Sequence, residues 1–213
     1  MRRRDFIILT GSGVAAAWPL AARAQTSRRL GVLFATSLQS AETFGLLPAL
    51  SQGLKEHGWI EGQNITIESR FADGAIDALP KLAAELIALR VDAIVTDSTP
   101  ATRAAMVATQ TLPILILSND PVASGFVASL SRPGGNVTGI SLLSAEIAGK
   151  RLQLLSQLVA GLTRVCVLSN FSNPSHAGLI QKTQIAGQSL GLNISVAEMQ
   201  TTPEKLEARV GEL

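Results

Sequence analysis

Short apolar runs alternate along this chain with longer segments in which apolar residues recur every three or four positions. The short runs predict β-strands, and the longer segments predict amphipathic helices that pack on them. The predicted strands are residues 29–35, 64–70, 91–96, 114–117, 136–141, 164–168 and 193–197. The predicted helices are residues 43–56, 77–90, 101–110, 144–158 and 176–190, followed by one that opens at residue 202. Such alternation is typical of an α/β fold built on a parallel sheet.

Local signals place several helix ends. Phe44 falls in the apolar repeat of the first helix, which His57 and Gly58 are expected to stop. Asp77 is expected to cap the second helix, and Ser144 is expected to start the helix that follows the fifth strand.

The strand units divide unevenly along the chain. Five precede residue 143 and two follow it, and the sequence stops at residues 211–213 inside a helix pattern. Two strands could not easily cover their own helices. We therefore predict a first α/β lobe at residues 25–142 and an incomplete second lobe at residues 143–213.

The first 24 residues predict an export signal. Arg2, Arg3 and Arg4 precede an apolar run that ends at Leu20, and residues 22–24 (ARA) form a small-residue cleavage site. The pattern at residues 3–7 (RRDFI) also fits a twin-arginine signal, so twin-arginine and general secretory export both remain open. Cleavage near residues 24–25 would release a periplasmic protein. A retained N-terminal membrane anchor is the alternative.

Removing this leader changes the electrostatic interpretation. The whole chain has 18 Lys and Arg against 16 Asp and Glu, whereas residues 25–213 have 14 against 15, a net charge of −1. No basic stripe remains, so nucleic-acid binding is not expected. Cys166 is the only cysteine, which excludes an intramolecular disulfide, and its apolar run predicts a buried side chain.

Small polar residues follow the predicted strands, where a parallel sheet binds its ligands. Their hydroxyl, amide and carboxylate groups suit a polar ligand, and helix N-termini favour its carboxylate. Asp97 or Asp120 would pair with an ammonium group of the ligand. Phe171 or Phe44 would stack on an aromatic ring of the ligand. The alternative for each polar residue is an ordinary cap or turn former. The candidates are Thr36, Ser37, Asp97, Ser98, Thr99, Asn119, Asp120, Asn170 and Asn173.

Several blocks of the sequence resemble the ABC transporter substrate-binding proteins of the tryptophan/tyrosine type. The block at residues 129–139 is the most specific, and residues 97–99 (DST) depart from the family, which more often has a glycine before its Thr-Pro. The resemblance implies a type I periplasmic-binding fold, a hinge near residues 142–144, a small amino-acid-like solute and a membrane permease as partner. The matching blocks are residues 61–65 (EGQNI), 82–86 (LAAEL), 99–101 (TPA), 120–122 (DPV), 129–139 (SLSRPGGNVTG) and 149–152 (GKRL).

Other functions remain as alternatives. No nucleophile motif, P-loop or dinucleotide glycine pattern is present outside the leader, so we predict a monomeric binding protein rather than an enzyme. His57 and His176 have no cysteine or carboxylate at ligand spacing, and neither a metal nor a cofactor is expected. An exported hydrolase- or transferase-like enzyme and a sensory domain without transport are the competing hypotheses. A partial second lobe would also weaken binding and stability.

Overall fold

The computed structural model describes residues 27–171, 173 and 176–199. The predicted leader and the helix predicted to open at residue 202 lie outside these residues. Seven strands are described, all in parallel pairings, which confirms the predicted α/β class. The strands are β1 (Arg28–Phe34), β2 (Ile65–Phe71), β3 (Ala93–Thr96), β4 (Ile114–Ser118), β5 (Val137–Ser141), β6 (Arg164–Ser169) and β7 (Asn193–Glu198).

Six α-helices connect these strands in the described part of the chain. A short 3-10 turn, Ile76–Ala78, precedes the third of them. The helices are α1 (Leu38–Thr43), α2 (Leu46–Glu56), α3 (Leu79–Ala88), α4 (Thr99–Ala108), α5 (Ala148–Leu158) and α6 (His176–Ser189).

Three predicted helix starts were wrong. The single helix predicted at residues 43–56 is two helices, because the chain turns at Gly45, whose φ of 71° lies in the left-handed region. Phe44 therefore lies outside the apolar face and is 76% exposed. Asp77 lies in the 3-10 turn instead of capping α3. Ser144 precedes α5 by four residues and hydrogen-bonds to Asn119.

The first five strands form one sheet in the order β2-β1-β3-β4-β5. Neighbouring residues of β1 point to opposite faces, so Leu33 packs under α3 and α4 while Val32 and Phe34 pack under α1 and α2. The α3–α4 face holds most of the buried side chains, including Leu79, Leu86, Ile94 and Ile114. This sheet and its helices lie within residues 25–142, the predicted first lobe.

Gly139 allows β5 to lie against β4. Its φ is 148°, and a Cβ atom at this position would lie 2.1 Å from the backbone oxygen of Ile116. A side chain there would push the two strands apart, and the chain uses a glycine within the block that carries the strongest family resemblance.

The strands β6 and β7 form a separate two-stranded sheet. α6 packs against β7, and α5 packs against α6. Several large apolar side chains in this region are exposed, among them Leu158, Leu168 and Ile185. No helix within the described ranges has the length and apolar character needed to cross a membrane.

Candidate functional site

The strand order reverses between β1 and β3. After β1 the chain continues to β2 on one side of the sheet, and after β3 it continues to β4 on the other side. Open α/β sheets bind ligands in the crevice between two such loops, at the carboxyl ends of the strands. Five of the predicted site residues lie at this edge: Thr36, Ser37, Asp97, Ser98 and Thr99. We call residues 35–37 and 97–98 the β1–β3 rim.

Asp97 uses its carboxylate to join the two loops of this rim. One oxygen accepts a hydrogen bond from the Ala35 N–H at 2.9 Å, and the other accepts one from the Thr36 N–H at 3.3 Å. Burial raises the pKa of Asp97 above its ordinary 3.8, although these hydrogen bonds act in the opposite direction. The carboxylate is thus engaged by backbone amides, which speaks against its predicted role as partner of a ligand ammonium group.

The two rim serines are helix caps. Ser37 Oγ accepts the Ser40 N–H at 3.1 Å at the start of α1. Ser98 Oγ accepts the Ala101 N–H at 3.5 Å at the start of α4. Both hydroxyls therefore accept hydrogen bonds from backbone amides that a helix N-terminus leaves unpaired. This is the alternative role, an ordinary helix cap, that the sequence analysis gave for these residues.

A cavity of about 390 Å³ lies beside this rim, between the first lobe and the start of α6. Its first wall is the start of α4 and the loop after β4, and its second wall is the first two turns of α6. We call it the cleft cavity. It is lined by Thr99, Arg103, Asn119, Asp120, Ala123, Ser124, Ala145, Gly178, Leu179, Gln181 and Lys182.

Three predicted site residues line the cleft cavity: Thr99, Asn119 and Asp120. Asn119 Oδ1 accepts a hydrogen bond from Ser144 Oγ at 3.0 Å, which ties the loop after β4 to the segment that enters the second lobe. Asp120 Oδ1 accepts the Ala123 N–H at 2.9 Å and so shapes its own turn. Among the described residues that line this cavity, Asp120 supplies the only carboxylate.

Thr99 is the most informative residue of the cavity wall. It is the first residue of α4, it is only 3% exposed, and its Oγ1 has no hydrogen-bond partner in the described structure. A buried hydroxyl without a partner costs about 1–3 kcal/mol of stability. Ser118, at the end of β4, carries a second such hydroxyl but does not line the cavity.

Sequence reasoning missed the two cations of the cavity, Arg103 and Lys182. Both lie one turn or more inside a helix, and not in the loops after the strands, where the ligand-binding residues were expected. The Arg103 guanidinium lies 5.4 Å from the centroid of the Phe126 ring, which holds it against the first lobe. Within the described ranges, neither cation forms a salt bridge. Cationic residues in the first turns of the helices that follow these loops would have been the sequence signal for Arg103 and Lys182.

Asn170 and Asn173, the site residues predicted in the second lobe, are not among the described residues that line the cavity. Asn173 Nδ2 is 3.3 Å from His176 Nε2, and Ser169 Oγ is 3.2 Å from His176 Nδ1. Asn170 and Phe171 belong to the same turn, and Phe171 is 54% exposed.

Ser169 and His176 place a hydroxyl beside an imidazole, the pairing on which nucleophilic catalysis depends. Burial lowers the pKa of His176 below its ordinary 6.5, while a backbone hydrogen bond with Asn170 acts in the opposite direction. Ser169 is itself only 5% exposed and does not line the cleft cavity, so the pair stabilises the turn before α6 and lacks access for a substrate.

The segment between β5 and α5 comprises residues 142–147. Leu142 donates its N–H to the Ser118 carbonyl at 2.8 Å, and Leu143 has a φ of 48°, which a bulky residue rarely adopts. In the described ranges, no three His, Cys, Asp or Glu side chains are grouped to hold a metal ion.

Comparison with known proteins identifies the family of this chain. The family described as ABC transporter substrate binding protein matches residues 45–207, more than half of the chain. The chain belongs to this family. A tyrosine-binding protein of Clostridioides difficile (strain R20291) is 34% identical over 123 residues, which are 57% of this chain and 35% of that relative.

Solved structures confirm the predicted fold of this substrate-binding family member. A conserved domain protein from Vibrio cholerae aligns with a TM-score of 0.75 at 24% identity, over 81% of this chain and 57% of that protein. A Streptococcus pneumonia ABC domain in complex with L-Trp also aligns with a TM-score of 0.75, at 22% identity, over 86% of this chain and 61% of its own. The chain therefore spans about a third of the curated relative and about three-fifths of these structures.

Proposed function

We propose that this chain is the solute-binding component of an ABC importer and that it holds a small amino-acid-like carboxylate in the cleft cavity. The observation that carries the proposal is Thr99. Thr99 is the first residue of a ten-residue helix and lines a cavity bounded by both lobes, and its buried hydroxyl is unpaired. A helix N-terminus favours an anion, and a ligand carboxylate would give this hydroxyl the partner that it lacks.

Asp120 supports an amino-acid-like ligand in the same cavity. One of its oxygens is engaged by the Ala123 N–H, and it brings negative charge to the same wall as Thr99. A carboxylate near Thr99 and an ammonium group near Asp120 would together match both polar groups of the wall. The tyrosine-binding and L-Trp-bound relatives support an amino acid as the class of ligand.

Ligand binding between two lobes gives a direct route to signalling the loaded state. A solute that contacts α4 on one side and α6 on the other binds more tightly when the lobes are close, so it shifts the population towards the closed form. The closed form would then be recognised by the membrane permease. Residues 142–147 would act as the hinge.

A thermal-shift titration of the purified protein tests the binding proposal. The panel comprises the common amino acids, including tyrosine and tryptophan, and the small carboxylates acetate and succinate. We expect at least one amino acid to raise the Tm progressively with its concentration, as mass action requires. A panel in which no compound shifts the Tm would contradict the proposed function.

We also propose that the protein is exported to the periplasm through the leader predicted at residues 1–24. The basic residues, the short apolar run and the ARA site support this, as does the family. Replacing Arg3 and Arg4 by lysine discriminates the two routes. Twin-arginine export predicts accumulation in the cytoplasm, whereas general secretory export predicts normal periplasmic recovery, because lysine keeps the positive charge. N-terminal sequencing of the periplasmic protein should begin at Gln25.

A further inference from the structure

The cleft cavity carries more positive charge than a neutral amino acid requires. Its lining includes two cations, Arg103 and Lys182, and one carboxylate, Asp120. A zwitterion would place its carboxylate at Thr99 and its ammonium group at Asp120, and would leave both cations without a counter-charge. Among the residues that the structure describes, no other group is ion-paired with either cation.

The two cations lie on opposite walls of the cavity. Arg103 lies one turn after Thr99 on α4, and Lys182 lies in the second turn of α6. The Phe126 ring under Arg103 restrains its guanidinium, so less conformational freedom would be lost when it binds an anion. An acidic group between these walls would be attracted by both and would draw the lobes together.

The rest of the lining does not suit an aromatic side chain. No aromatic residue is among the residues that line the cavity in the described structure, and its apolar contribution comes from Ala123, Ala145 and Leu179. The remaining lining residues include Ser124 and Gln181, which hydrogen-bond polar groups. Phe171, the residue predicted to stack on an aromatic ligand, is not part of this lining.

We propose that the preferred ligand is an acidic α-amino acid, whose second carboxylate lies between Arg103 and Lys182. This inference rests on the proposed function and specifies its ligand class. Such a ligand has one net negative charge, which complements the net positive charge of the lining residues. Its two carboxylates and its ammonium group would each have a partner of opposite charge or a helix N-terminus.

Isothermal titration with two pairs of near-isosteric ligands tests this assignment. The pairs are L-glutamate with L-glutamine and L-aspartate with L-asparagine, whose members differ in charge and hardly in shape. We expect the acidic member of at least one pair to bind about tenfold more tightly than its amide. Higher salt should weaken binding of the acid more than binding of the amide.

Substitution of the cations localises the effect. Lys182→Gln and Arg103→Gln should each weaken binding of the acid by at least about fivefold and leave binding of the amide nearly unchanged. Arg103→Lys should restore part of the loss. Lys81→Gln is the matched control, because Lys81 is exposed on α3 and does not line the cavity.

The outcomes separate this inference from the proposed function. Amides or aromatic amino acids that bind as tightly as the acids, or an acid preference unaffected by Lys182→Gln, would overturn the charged-ligand assignment while solute binding stands. No binding by any amino acid would overturn both.

Discussion

The two halves of the carboxyl edge of the first sheet use similar residues for different purposes. At the β1–β3 rim, Asp97 and the two serines turn inwards and satisfy backbone amides of their own loops and helices. At the cleft cavity, Thr99 has a hydroxyl that the protein leaves unpaired, and Arg103 has no acidic partner in the described structure. A polar residue after a strand therefore indicates a ligand only when the protein leaves at least one of its polar atoms unused.

The largest stability effect is expected at Asp97. Asp97→Ala leaves the Ala35 and Thr36 amides without their acceptor and should lower the free energy of unfolding by about 1–3 kcal/mol. Asp97→Asn keeps one acceptor oxygen and should cost less. Urea unfolding measures both. If Asp97→Ala destabilises no more than Asp97→Asn, the rim is not held by this carboxylate.

The pH dependence of the Asp97→Asn variant sharpens the same point. Burial raises the pKa of Asp97, so the folded state disfavours its charged form. The contribution of this pKa shift to the stability is fully present below pH 3.8, and it is lost as the pH rises through the raised pKa of Asp97. Relative to Asp97→Asn, the unsubstituted protein should therefore lose stability as the pH rises above 3.8 and through the raised pKa. A stability difference that stays constant as the pH rises above 3.8 would contradict the assignment.

A smaller effect separates the two caps of the rim. Ser37→Ala should cost about 1 kcal/mol, because the 3.1 Å hydrogen bond to the Ser40 N–H satisfies the start of α1. Ser98→Ala should cost less, since its bond to the Ala101 N–H is 3.5 Å long. Neither substitution should change ligand affinity by more than about twofold. A large loss of ligand affinity in Ser37→Ala would instead indicate that the ligand binds at the β1–β3 rim.

The smallest effect is expected at the turn before α6. Because the pKa of His176 is lowered in the folded state, the neutral imidazole is favoured there, and stability should fall as the pH decreases below 6.5. His176→Gln should reduce this dependence between pH 7.5 and pH 5.5, as followed by Tm.

Most of the fold could be predicted from the sequence. Strands buried on both faces appear as continuous apolar runs, and all seven described strands lie where the runs predicted them. The break between α1 and α2 was missed because the apolar period continues across Phe44 and Gly45, and only the backbone shows the turn. The boundary between the lobes at residues 142–143 stays a prediction.

The site was less accessible to sequence reasoning. The strand-end rule found Thr99, Asn119 and Asp120, yet it equally selected Asp97, whose role depends on amides about 60 residues away. Arg103 and Lys182 could not be found by that rule, because the facing of α4 and α6 across a cavity is a tertiary property. Unpaired buried groups, which identify Thr99, are defined only once the packing is known.

The central claim is that the Thr99 hydroxyl serves a ligand and not the fold. Thr99→Val keeps the shape of the side chain and removes that hydroxyl, and Ser118→Ala removes the unpaired hydroxyl that lies outside the cavity. The direct test is to measure the dissociation constant of the bound amino acid and the free energy of unfolding for both variants. We expect Thr99→Val to bind about tenfold more weakly and yet be as stable as the unsubstituted protein or about 1 kcal/mol more stable, and Ser118→Ala to bind normally. Unchanged affinity in Thr99→Val, or equal losses in the two variants, would contradict the account.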